Sequence, residues 1–103
     1  MSTPTARTLA KLRKEGWRPW VVEKWNGHTK TRLDLYNIGD VLAIRGTETL
    51  LVQATSYSNV SSRVKKIGES EHIAAIREAG WRVECWGWHK VGQFWQARIV
   101  DCS

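Results

Sequence analysis

Three polar side chains draw attention because of where the apolar pattern puts them. The stretch from Ile38 to Ser56, IGDVLAIRGTETLLVQATS, holds two short apolar runs. Val41, Leu42, Ala43 and Ile44 follow Asp40, and Leu50, Leu51 and Val52 lead into Gln53, Ala54, Thr55 and Ser56. Gly46, Thr47 and Glu48 between them are turn material. Nearly continuous apolar runs of this length, with a turn between, predict a buried hairpin rather than a helix. In such a hairpin the start of one strand lies beside the end of the next, so Asp40 comes next to Gln53 and Thr55. These last two are separated by one residue and share a face. A carboxylate, an amide oxygen and a hydroxyl thus converge at one edge of a buried sheet. Hard divalent cations take oxygen ligands, carboxylates first, so metal-assisted chemistry is what this set suits. Asp34 is the alternative acid; Asp40 is preferred because it directly heads the strand.

The elements that must position these groups are legible around them. Thr3-Pro4 suits a helix start, with Thr as cap and Pro in the first turn. Ala6, Leu9, Ala10 and Leu12 give that helix an apolar stripe, and Gly16 ends it. Arg7, Lys11, Arg13 and Lys14 cover the rest, as a solvated face or as phosphate contacts. A first strand is expected over 17–25, with Trp20 and Val22 on one face and Val21 and Glu23 on the other. Glu23 is either a second metal ligand or half of a salt bridge to Lys24 or a neighbour. The segment 26–37, NGHTKTRLDLYN, reads as a basic loop suited to DNA backbone contact.

Beyond the hairpin, Val60, Val64 and Ile67 are spaced as one helical face, capped by Ser58 or Asn59. Arg63, Lys65 and Lys66 lie on the other side, as a solvated basic face or, since a helix N-terminus just after Thr55 is placed to hold a phosphate, as phosphate contacts. Gly68 breaks the segment. A second helix is expected from about Glu69, with Ile73, Ile76 and Ala79 inward and Gly80 as its stop. Closing strands are expected over 81–86 and 94–100. The joining loop GWHKVGQ carries Trp88, His89 and Lys90, which read either as core or interface groups or as groups that stack on or touch nucleic acid.

Composition sets the outer bounds. The chain has 103 residues, enough for one small domain, which buries only ~60–70% of its unfolded surface. Sixteen Lys and Arg against ten Asp and Glu give a net charge of +6 and a pI near 9.8, a balance that favours a polyanion partner. Seven Trp are many for this length, so some must be core, with a few left open to be exposed contacts. Cys85 and Cys102 have neither metal-ligand spacing nor a secretory context and read as free thiols. No stretch is long enough to span a membrane and no signal peptide is visible, so a cytoplasmic protein is expected. The three His residues are scattered, and there is no Ser-His-Asp triad, P-loop or dinucleotide fingerprint.

An Asp, a hairpin of about this length and then Glu-x-Lys mark the PD-(D/E)xK nuclease superfamily. The chain resembles that core, especially the archaeal-type Holliday junction resolvases, with Asp40 at the Asp, Gln53 at the Glu and Thr55 at the Lys. It is also similar to short phage proteins that carry Gln-x-Thr at this place. The resemblance covers the leading helix, the hairpin, the basic helical segment and the closing strands. It implies a single nuclease-like domain over 1–103, of α/β restriction-endonuclease-like fold. A mixed central sheet of about five strands would be flanked by helices. It implies a metal-dependent DNA endonuclease acting on branched phage DNA, such as four-way junctions, as a homodimer in the cytoplasm of a bacterial host.

Mg²⁺ or Mn²⁺ would be held by Asp40, Gln53 and Glu23, with a carbonyl from Ala54. Asp40, Gln53, Thr55 and Lys65 would be catalytic, and Lys65 or Lys66 would replace the charge of the missing motif Lys. Arg32, Arg63, Lys65, Lys66, Trp88 and Lys90 would contact DNA. The resolvases also carry a catalytic Glu on their first helix; aligned on the helix-ending Gly, that place falls near Thr5. The alternatives are a non-catalytic DNA-binding module on the same fold, or a structural phage protein that uses the Trp-rich strands as an interface.

Overall fold

A computed structural model describes residues 3–103; the first two residues of the expected domain lie outside the described ones. Helix α1 spans Pro4–Lys14, and Thr3 caps it by accepting from the Ala6 N–H at 3.1 Å. Its inward stripe is only partly the expected one: Leu9 and Leu12 point inward as expected. Thr8 and Leu12 are fully buried with Leu9 beside them, while Ala6 and Ala10 face out. Alanine has too little side chain to compete for a core face, whereas Thr8 brings a hydroxyl with a specific partner.

The central sheet has five strands in the order β1-β4-β5-β6-β7. These are β1 (Arg18–Val21), β4 (Val41–Arg45), β5 (Glu48–Ser56), β6 (Arg82–Val91) and β7 (Phe94–Asp101). Neighbours are antiparallel except β5 and β6, which run parallel. A parallel pair needs a crossover, here supplied by a short 3₁₀ turn Tyr57–Asn59, α2 (Val60–Gly68) and α3 (Ile73–Glu78). A mixed α/β fold with a five-stranded mixed sheet and helices is therefore the observed architecture.

Two cores lie on opposite faces of the sheet. Leu12, Trp17, Val41, Ala43, Leu50, Val52, Trp86 and Trp88 pack under α1. Ile38, Leu51, Val60, Ile67, Ile73, Ile76, Val83, Cys85 and Cys102 pack under α2 and α3. Both faces of the central strands are thus covered, which is why their sequences read as continuous apolar runs. Both cysteines are buried free thiols, and burial pushes the Cys85 thiol up to about 11. Among the described residues no helix is long and apolar enough to cross a membrane.

Several boundaries differ from expectation for physical reasons. The first strand ends at Val21 instead of reaching residue 25. Pro19 lacks an N–H and is tolerated because β1 is an edge strand. The chain then leaves the sheet, and the expected basic loop contains a small separate hairpin of β2 (Lys24–Asn26) and β3 (Thr31–Leu33). Asn59 does not cap α2 with its side chain; its Nδ2 donates to Ser56 Oγ at 3.0 Å. The second helix starts at Ile73 rather than near Glu69, and Ala79 is exposed.

The closing hairpin is longer than expected. β6 runs through the expected loop to Val91, and Val91 pairs with Phe94 across a tight Gly92-Gln93 turn. Gly87, which looks like a strand breaker, is instead where the crossover presses on the sheet. A Cβ there would overlap Val60 Cγ2 and crowd the Tyr57 backbone. Gly87→Ala is therefore expected to destabilise the fold by about 1–3 kcal/mol through overpacking. A thermal melt reads this, and an unchanged midpoint would mean that the crossover does not seat there.

Candidate active site

Asp40 and the end of β5 meet at one end of the sheet, as the hairpin register requires. Val41 pairs with Val52, and the Asp40 N–H continues the ladder to Val52 O at 3.0 Å. Asp40 is 5% exposed. Its Oδ1 accepts from the Ala54 N–H at 2.9 Å, and its Oδ2 accepts from Thr5 Oγ1 at 3.1 Å. Thr5, on the first turn of α1, thus bears directly on Asp40. Gln53 and Thr55 are buried on the same face of β5.

The structure adds Asp34 to this group. Tyr36 and Asn37 both take left-handed backbone, with φ of 54° and 59°, and Ile38 N–H closes the turn onto Leu35 O at 3.0 Å. That turn bridges Leu35 to Gly39 and folds Asp34 back alongside Asp40. Tyr36 is anchored against the His72 and Trp81 rings, with centroids at 5.3 and 6.1 Å. Gln53 Nε2 donates both to Asp34 Oδ2 at 3.0 Å and to Ile38 O at 3.2 Å. The amide orientation is thereby set, and its oxygen is left over as the acceptor.

Electrostatically the two acids form a pair suited to a cation. Burial, together with the nearby Asp34 charge, pushes the Asp40 carboxyl up to about 6; the Ala54 N–H and Thr5 hydroxyl act against that rise. Among the described residues neither Asp34 nor Asp40 has an ion-pair partner. An open cleft of about 530 Å³ lies over the group. Arg32 lines it from the small hairpin, and Arg63 and Lys66 line it from α2. Asn59, Arg63 and Lys66 recur at helical spacing on the cleft side, while Val60, Val64 and Ile67 face the core.

The remaining sequence candidates sort differently. Lys65 does not line the cleft; it is exposed and reaches Glu69 at 4.0 Å. Its register on α2 turns it away, so Arg63 and Lys66 are the cations that α2 brings to the site. Glu23 lines the cleft, but Arg32 Nη1 approaches its carboxylate at 3.3 Å, which favours the salt-bridge reading. Trp88 is not available for stacking: it is 7% exposed, and its Nε1 donates to Thr8 Oγ1 at 2.9 Å under α1. Lys90 is exposed on β6 outside the cleft lining.

A hard divalent cation fits the donors as two carboxylates, Asp34 and Asp40, plus the Gln53 amide oxygen, with water completing the shell. Among the described residues no group of three His, Cys, Asp or Glu forms a metal cluster, so the set is carboxylate-poor. Asp34 was legible only as an alternative, because a Tyr-Asn pair in left-handed turn conformation carries no common sequence signal. No family model, curated protein or solved structure matches the chain.

Proposed function

We propose that the chain is a metal-dependent DNA endonuclease of the Holliday junction resolvase-like type, working through Asp40 and a Gln53-x-Thr55 variant of the motif. The observation that carries this reading is one cleft that sets buried Asp40 and its neighbour Asp34 inside a rim of Arg32, Arg63 and Lys66. The order helix, antiparallel meander, crossover helix and parallel strand supports it as well, since the resemblance implies a core of that kind.

Asp40, Asp34 and Gln53 would hold Mg²⁺ or Mn²⁺. Such an ion, when bound, neutralises charge on the phosphate and lowers the pKa of a bound water. The chain's own groups do the rest. Thr5 and the Ala54 N–H hold the Asp40 carboxylate in one orientation. The Asp34–Gln53 contact keeps the amide oxygen free. The Thr55 hydroxyl orients water, and Arg63 and Lys66 bind phosphate oxygens through charge-assisted hydrogen bonds.

A non-catalytic DNA-binding module on the same fold is the second reading, favoured by the neutral Gln53 and Thr55 where the motif has charges. Both readings require phosphate contacts. Each cation that neutralises a phosphate adds about −0.9 to the slope of log affinity against log salt on duplex DNA. Arg63→Ala with Lys66→Ala is expected to flatten that slope by about 2, whereas Lys65→Ala leaves it nearly unchanged. Equal slopes for all three proteins would remove DNA from the cleft. Metal-dependent cutting of branched DNA then separates the two readings.

A further inference from the structure

We infer that the small β2–β3 hairpin presents Trp25 to an unpaired nucleobase next to the cleft, so that the preferred ligand is DNA with a single-stranded or splayed segment. This rests on the nuclease or DNA-binding reading above and narrows its substrate. Trp25 pairs with Arg32 across the hairpin, and directly opposed residues project from the same face. Trp25 is 64% exposed. It lines a groove of about 460 Å³ together with Val21, Glu23, Lys24 and Arg32.

That groove is continuous with the acid cleft, because Thr3, Thr5, Glu23 and Arg32 line both. A strand with its backbone on Arg32, Arg63 and Lys66 therefore has its next base within reach of the Trp25 ring. The hairpin tip is stiffened by Asn26, whose side-chain oxygen accepts from the His28 N–H at 3.0 Å. Lys24 and Lys30 leave the hairpin positively charged. A large exposed ring flanked by cations on a stiff hairpin is the arrangement used to stack bases of single strands, and it suits any base because every base has a π-face. Bases of an intact duplex are stacked on one another and offer Trp25 only a terminal face.

The test is an anisotropy titration, in EDTA so that nothing is cut. A fluorescein-labelled duplex with a splayed end is compared with the blunt duplex of the same sequence. Wild type is expected to prefer the splayed form by about 10-fold or more. Trp25→Ala should bring that ratio close to unity while leaving blunt-duplex affinity in place, and Trp25→Phe should keep most of it. Trp20→Ala removes a still more exposed indole, 76% exposed and outside both grooves, and should change nothing. A Trp25→Ala protein that keeps the wild-type ratio overturns the inference and leaves the DNA reading standing. So does one that loses affinity equally for both forms. Wild type that binds neither form overturns that reading and the inference with it.

Discussion

Asp40→Asn is expected to make the metal-free protein more stable and the metal-loaded protein inactive. The folded-state carboxyl titrates near 6 against an ordinary value of 3.8, so the native state holds its proton more tightly than the unfolded chain does. Stability of the wild type in EDTA is then fully present below about pH 4 and falls as pH rises to about 6, after which it levels off. A difference of about two pH units corresponds to about 3 kcal/mol. The asparagine keeps an oxygen for the Ala54 N–H and gives an N–H₂ to Thr5 Oγ1, yet carries no charge to desolvate. At pH 8 it should unfold at higher denaturant by roughly that amount, and at pH 4 with wild type. Cutting with Mg²⁺ or Mn²⁺ should drop by ~10²–10³ or more, the usual loss for a group that stabilises transition-state charge. Wild-type stability that rises across pH 4–6 would contradict the burial of this acid. Undiminished cutting by Asp40→Asn would contradict its role.

The second large effect is expected from restoring the motif as Gln53→Glu with Thr55→Lys. Without metal this should be costly. An ionised carboxylate in place of the amide cannot donate to Ile38 O or Asp34, both of which Gln53 Nε2 now satisfies. Leaving such partners unsatisfied costs about 1–3 kcal/mol, and a third carboxylate beside Asp34 and Asp40 adds repulsion. Millimolar Mn²⁺ should therefore raise the melting temperature of Gln53→Glu far more than that of wild type. With the Lys in place, cutting should exceed wild type by ~10²–10³, since the pair of changes returns both a negative ligand and a cation to the cleft. A folded double variant that cuts less than wild type would mean that Gln53 and Thr55 already form a working site, with Arg63 or Lys66 as its cation. If neither protein cuts any DNA form with either metal, while both bind DNA, the binding module is the correct reading.

Much of this site was legible without coordinates, and the reason is periodicity. Asp40, Gln53 and Thr55 come together because side chains alternate along strands and a short hairpin has little freedom of register. The helix starting at Thr3-Pro4 and the inward row Val60, Val64 and Ile67 rest on equally local rules, capping and helical spacing. The remaining features depend on contacts between groups distant in sequence. Gly87 lies inside a strand because Val60 and Tyr57 press on it. Trp88 turns inward because Thr8, eighty residues away, accepts its indole N–H. Asp34 enters the site only because Tyr36 and Asn37 take left-handed backbone, with Tyr36 packed against His72 and Trp81. Lys66 replaces Lys65 at the cleft because the rotation of α2 is set by burying its apolar row. Local pattern determined the hairpin and the inward row of α2; packing between distant elements determined which polar groups share the cleft.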